Sequence, residues 1–267
     1  MRIGFIGGGS MGEAMLSAVL AAGLAASDQV TVSDISRERQ EYLAERYGVT
    51  VTDDNRRAAA GSDIVVLAVK PQNLAEAMAG LNGGLTPAQL VLSIVAGARI
   101  ESLKRGLGHA AVVRSMPNTP AQIGQGMTVW TSTAEVSGEQ RRTTAAVLGA
   151  MGREIAVGDE DDIDRATAVS GSGPAYLFLF VEALTAAAVE IGLSPEVARE
   201  LVLTTVLGAG RLVEQPGRGP AELRQMVTSP GGTTAAALEA LAEGKFSELV
   251  TRAVRAAYQR AGELGGD

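Results

Sequence analysis

Gly7, Gly9 and Gly12 stand in G-x-G-x-x-G spacing, directly after a short apolar run at 2–6 and directly before an Ala- and Leu-rich run at 13–22. In a strand, turn and helix of this kind the first glycine lets the chain reverse, the second lets backbone approach a pyrophosphate, and the third lets the helix pack close on the strand. Unpaired N–H groups at the helix start then face the phosphates. About 20 residues on, where an acid meets the ribose of a bound dinucleotide, Asp34 closes a second strand at 30–33. Ser33, Ser36 and Arg37 beside it offer the opposite chemistry, a seat for a 2′-phosphate. The choice between NADPH and NADH is open at this point.

A second constellation lies at 227–234, Val-Thr-Ser-Pro-Gly-Gly-Thr-Thr, ahead of another Ala/Leu helix. Gly231 and Gly232 free the backbone there, and N–H groups at the new helix start point outward together, which suits a carboxylate. An ordinary helix cap with a tight turn reads equally well from these residues alone. The segment 170–176, Ser-Gly-Ser-Gly-Pro-Ala-Tyr, breaks the chain between helices and reads as a joint. No Ser/His/Asp arrangement accompanies it, and the single histidine, His109, falls in a Gly-flanked loop expected to be solvent-exposed.

The elements that position these residues change character along the chain. Strands are expected at 2–6, 30–33, 49–51, 64–69, 90–95, 111–115, 127–130 and 154–157, with helices between them. The run Ile-Val-Val-Leu-Ala-Val at 64–69 has the continuous apolar pattern of a parallel strand buried on both faces, and it leads into Lys70-Pro71-Gln72-Asn73, a turn placed to border a ligand. Gly48 suits a helix C-cap, Asp53-Asp54-Asn55 can cap the short helix that ends near Gly61, and Ser137 with Gln140 suits a capping box. From 159 onward only helices are expected, at 160–169, 174–191, 195–215, 220–227, 233–243 and 246–264. The fold class is therefore α/β: a Rossmann-type doubly wound sheet, 1–158, followed by an all-helical domain, 159–267. Helices apolar round much of their circumference need partners, so dimerisation through this second domain is expected.

Composition narrows the chemistry further. With 267 residues and 46% apolar content, a sizeable core is available. A net charge of −7, with no basic run, argues against nucleic acid as a partner. Cysteine is absent and there is one histidine, which leaves no thiol nucleophile and argues against a zinc site, so no metal is expected. The first strand begins at once, and no apolar run reads as long enough to span a bilayer, so no membrane association and a cytoplasmic location are expected. Hydride transfer fits what remains, because the cofactor carries the reaction and the protein supplies orientation and electrostatics.

The stretches 4–12, 68–72, 114–120 (Arg-Ser-Met-Pro-Asn-Thr-Pro), 170–176 and 227–234 occur in this order in pyrroline-5-carboxylate reductases, and the chain resembles that family over its full length. The resemblance implies reduction of Δ1-pyrroline-5-carboxylate to L-proline with NADPH or NADH, the closing step of proline biosynthesis. It also implies a homo-oligomer: a C-terminal domain interlocking two subunits, and dimers assembling further, up to a decamer of dimers. By matching position, Ile6, Gly7, Gly8, Gly9, Ser10 and Met11 would hold the pyrophosphate and Asn55 would lie by the adenosine. Ala68, Val69, Lys70 and Pro71 would border the ribose and nicotinamide, and Ala96 and Gly97 the nicotinamide face.

On the substrate side the resemblance puts the carboxylate on the backbone around Ser229, Gly231, Gly232 and Thr233. It gives Thr234 a hydrogen bond to the ring nitrogen and the catalytic role, and it sets Glu160 near the substrate. One subunit's C-terminal motif would complete the pocket of its partner. A related two-domain hydroxyacid or imine reductase is the rival enzyme, but such hydroxyacid enzymes need a lysine early in the helical domain and 159–193 contains none. A cofactor-sensing protein without turnover is the rival from another class.

Overall fold

The computed structural model describes residues 1–266. Its first part alternates strand and helix: β1 (Ile3–Ile6), α1 (Ser10–Ala21), β2 (Val30–Ser33), α2 (Arg37–Tyr47), β3 (Thr50–Thr52), α3 (Asn55–Ala59), β4 (Ile64–Leu67), α4 (Leu74–Leu81), β5 (Leu90–Ser93), α5 (Ile100–Leu107), β6 (Val112–Met116), β7 (Gly126–Ser132), α6 (Gly138–Gly149) and β8 (Gly152–Ala156). Helices follow: α7 (Asp161–Ala166), α8 (Gly173–Glu190), α9 (Pro195–Glu214), α10 (Pro220–Met226), α11 (Thr233–Glu243) and α12 (Phe246–Gly265).

The eight strands form one sheet in the order β3-β2-β1-β4-β5-β6-β7-β8. All pairings are parallel except β6 with β7. The central strands β1, β4 and β5 are buried throughout, as strands covered by helices on both faces must be. The chain runs outward from β1 to β2 and β3, then returns to place β4 on the other side of β1. Strand order therefore reverses between β1 and β4, the point where open α/β sheets bind ligands beyond the strands' carboxyl ends. Two apolar clusters hold the layers. One is built on Phe5, Met15, Leu16, Leu43 and Trp130, the other on Ile6, Leu67, Leu81, Leu103 and Leu107.

Local chemistry explains most of the boundaries. Gly48 (φ 67°) and Gly108 (φ 60°) end α2 and α5 in the left-handed conformation. The Asp54 carboxylate accepts from the Arg56 N–H at 2.8 Å, and Ser137 with Gln140 forms the reciprocal capping box. β4 and β5 stop short of the expected 69 and 95, because the residues after Leu67 and Ser93 leave the sheet at its ligand-binding edge.

The structure corrects three expectations. His109 is buried rather than exposed: the turn at Gly108 directs it inward, and its Nε2 lies 2.8 Å from the Gln89 carbonyl oxygen. The segment around Ser170 is not a break, because a π turn over Thr167–Gly171 carries the helix forward, its signature bond running from the Ser172 N–H to the Thr167 carbonyl at 2.8 Å. As a result Asp161–Glu190 is one helical run of 30 residues, and by length and composition it is apolar enough to cross a membrane. The Ser-Gly-Ser-Gly-Pro residues at 170–174 hide that length in the sequence.

Two compact units are present, Met1–Ser172 with Ala257–Asp267, and Gly173–Ala256. This division differs from 1–158 and 159–267, because α7 is tied into the first unit by Arg114. That guanidinium, 2% exposed on β6, donates to Glu160 at 2.9 Å and to Asp164, while Arg99 donates to Asp161 at 2.7 Å. In the second unit α8 and α9 present apolar side chains outward, among them Phe178 (63% exposed), Leu179 and Leu207.

Candidate active site

In-register pairing sets Ile6 beside Ser33 on one side and Leu67 on the other, so Gly7, Asp34 and Ala68 emerge from the sheet at one level. Two bonds lock that level: the Gly7 N–H donates to the Ser33 carbonyl and the Ala68 N–H to the Ile6 carbonyl, both at 2.8 Å. Gly7 has φ 98°, and a Cβ on it would lie 2.8 Å from the Ala68 carbonyl oxygen, so only glycine makes this turn.

A cleft of about 400 Å³ opens over this edge, lined by Gly7, Gly9, Ser33, Asp34, Asn55, Ala68, Val69 and Lys70 among others. Gly9 is the N-cap of α1 and has no side-chain cap, so the N–H groups of Ser10, Met11 and Gly12 in the first turn lack helical partners. A Cβ on Gly9 would meet nothing within 4 Å. The cradle is open where a phosphate must enter, and it carries backbone donors rather than cations. These residues fit a dinucleotide's pyrophosphate.

The loop is clamped from β2 and α2. The Asp34 carboxylate accepts from the Gly8 N–H at 2.8 Å and from the Ser36 N–H at 2.9 Å. Arg39 donates to the Gly8 carbonyl and to Glu13, so both backbone groups of the buried Gly8 are held by side chains. Burial raises the Glu13 pKa, but hydrogen bonds from Arg39, Tyr47 and Tyr42 outweigh it and hold the carboxyl below its ordinary value.

Other expected cofactor residues fall as follows. Ser33 is buried and its hydroxyl donates to Asn55 Oδ1 at 2.6 Å. Arg37 is exposed and pairs with Glu41. Pro71 starts a short turn into α4. Ala96 and Gly97 lie in the loop after β5 and do not line the cleft. Gly97 (φ 76°) instead packs its Cα against Leu264, whose carbonyl a Cβ would approach to 2.8 Å. Sequence reasoning missed Ile35, Asp53, Glu76 and Ala77 in the lining and Arg39 in the clamp, whereas Asn73, expected with the Lys70 turn to border the ligand, does line the cleft. Arg39 had a findable signal, since it stands one helical turn inside the Ser36 cap.

The second constellation belongs to the other unit. Gly231 (φ 69°) turns the chain, the Gly232 N–H donates to the Ser229 carbonyl at 3.0 Å, and Gly232 is the N-cap of α11 with no side-chain cap. Thr233 and Thr234 therefore open a helix whose first N–H groups have no helical partner. Glu160 lies in the first unit, where its Oε1 accepts from Arg114 and from the Ile100 N–H at 2.8 Å. It thereby caps the start of α5.

Comparison with known proteins agrees with this division of labour. Residues 160–264 match the model described as pyrroline-5-carboxylate reductase dimerisation, and residues 2–97 match that of the coenzyme F420-dependent NADP oxidoreductases. A pyrroline-5-carboxylate reductase from Synechocystis is 41% identical over 265 residues, spanning 99% of this chain and 98% of its own. The pyrroline-5-carboxylate reductase structure from Coxiella burnetii superposes with a TM-score of 0.89 at 38% identity, covering 100% of this chain and 99% of that one. A Plasmodium falciparum pyrroline carboxylate reductase crystallised with NADP bound gives 0.91 at 30% identity, covering 100% and 98%.

Proposed function

The chain belongs to the pyrroline-5-carboxylate reductase family, and from that premise we propose how its own residues carry the reaction. It is an oxidoreductase that reduces Δ1-pyrroline-5-carboxylate to L-proline with NAD(P)H, the last step of proline biosynthesis. The observation that carries the residue assignment is the presence in one chain of an open phosphate cradle at the strand-order reversal and an uncapped Gly-Gly helix start.

When bound, the reduced nicotinamide supplies the hydride. The first-turn N–H groups at Ser10, Met11 and Gly12 bind the pyrophosphate, and Gly9 leaves room for it. Residues 1–158 serve dinucleotide binding, and 159–267 serve substrate binding and dimerisation. The carboxylate of the imine acid sits on the backbone around Ser229, Gly231, Gly232 and Thr233, where a helix start complements its charge. The Thr234 hydroxyl orients the ring nitrogen. A protonated cyclic imine accepts hydride better than a neutral one, and a threonine hydroxyl is too weak an acid to protonate it fully, so solvent supplies the proton. Glu160 acts on the substrate side by fixing the start of α5.

The protein forms dimers through the region that matches the family's dimerisation model, and this accounts for the apolar faces of α8 and α9, including the membrane-length run. Further assembly of dimers into a decamer, a cytoplasmic location, and no part for nucleic acid or membrane complete the reading. The test is the initial rate of NADH and NADPH oxidation with pyrroline-5-carboxylate. Turnover is expected with the wild type, and Thr234→Ala should lower kcat/KM for the imine while cofactor affinity holds. Equal loss of cofactor affinity would refute the role of Thr234, and no turnover from protein that binds cofactor would refute the substrate.

A further inference from the structure

The charges around the cleft bear on a choice that the sequence left open. Three groups near β2 were candidates to seat a 2′-phosphate: the structure ties Ser33 to Asn55, makes Ser36 a helix cap and leaves Arg37 outside the lining of the cleft. Ser33 is 1% exposed and spends its only proton on Asn55 Oδ1. The Arg37 side chain stands out in solvent, 90% exposed, beside Glu41. The Ser36 hydroxyl accepts from the Arg39 N–H as the α2 cap, and it brings no charge. Arg39 is held by Glu13 and the Gly8 carbonyl.

Asp34, by contrast, lines the cleft itself. Bonds from the Gly8 and Ser36 N–H groups fix its carboxylate without neutralising it by a cation. The remaining ionisable groups of the lining are Asp53, Glu76 and Lys70, so carboxylates outnumber the single cation. Moving Asp34 aside would strand the N–H of Gly8, which is buried, so the carboxylate is not free to yield to a second anion.

We propose that Asp34 makes this enzyme select NADH over NADPH, its backbone-anchored carboxylate accepting from the adenosine ribose and opposing a 2′-phosphate. The inference rests on the cleft being the cofactor site, and it deepens that reading by naming the residue that sets cofactor choice. An acid at the end of β2 has the acceptor geometry for a 2′-hydroxyl and the wrong sign for a phosphate dianion. Here the glycine loop also depends on that acid, which makes the preference part of the loop's own structure.

The experiment is calorimetric titration of wild-type protein, Asp34→Ser, Asp34→Asn and Arg37→Ala with NADH and with NADPH, in the absence of imine. Wild type should bind NADH more tightly by about tenfold or more, the scale of one like-charge contact in a partly solvated site. Asp34→Ser should erase or reverse that ratio through tighter NADPH binding. Asp34→Asn, which keeps the shape and one acceptor oxygen, should do so even if the serine variant loosens the loop. Arg37→Ala should leave the ratio where it was. Equal or tighter NADPH binding by the wild type overturns the proposal, and so does a ratio that is blind to both Asp34 variants or that follows Arg37. Failure to bind either cofactor would sink the cleft assignment as well, and because no imine is present the ratio is read independently of the substrate assignment.

Discussion

At the scale of single residues, the glycines of the first turn look alike in sequence and differ in what surrounds them. Gly9 has extended backbone angles (φ −65°, ψ 179°) that any residue can adopt, and open space beside its Cα. Gly12 faces the Gly7 carbonyl, which a Cβ would approach to 2.6 Å. Gly9→Val should therefore fold with unchanged Tm and lose cofactor affinity by more than about tenfold, since its isopropyl group would fill the phosphate cradle. Gly12→Val should instead lose about 1–3 kcal/mol of stability by overpacking helix on strand. Urea unfolding with parallel NADH titration separates the two, and a destabilised Gly9 variant or a fully stable Gly12 variant would contradict this account. The spacing was legible in the sequence. Which glycine makes room for ligand and which makes room for protein was not, because that depends on what the fold brings opposite each.

At the scale of elements, the helix after β8 is decided by one buried arginine. Arg114 on β6 reaches Glu160 and Asp164 across 46 and 50 residues of chain, and Arg99 joins the cluster at Asp161 and at Asp164. Sequence reading placed a change of character near 158, whereas α7 falls within the first compact unit. A long-range ion cluster leaves no periodic trace, which is why it was missed. Arg114→Met should cost about 3–5 kcal/mol, because it removes the buried cation shared by Glu160 and Asp164 and leaves two carboxylates to Arg99 and the Ile100 N–H. Restoring neutrality in the triple variant with Glu160→Gln and Asp164→Asn should recover much of the loss. Chemical denaturation of the single and triple variants checks both statements, and an Arg114→Met protein as stable as wild type would show the cluster to be dispensable.

At the scale of the whole molecule, the outward apolar residues of α8 and α9 require a partner surface larger than one chain provides. Phe178→Glu combined with Leu207→Glu should shift sedimentation from dimer to monomer at micromolar concentration, and a persistent dimer would place the interface elsewhere. What the sequence determined by itself was whatever is written in local pattern. The alternation of strand and helix, the capping residues, the glycine spacing and the long apolar helices follow from backbone sterics and periodicity within a few turns of chain. What only the tertiary structure decided was each outcome set by residues distant in the chain. His109 turned inward to the Gln89 carbonyl, Ser170 entered a continuous helix, Glu160 became the cap of α5, and Asp34 was fixed to Gly8 while Arg39 was committed to Glu13 and the Gly8 carbonyl. Charge and hydrogen-bond partners are allotted by three-dimensional proximity, and a side chain has only so many bonds to give.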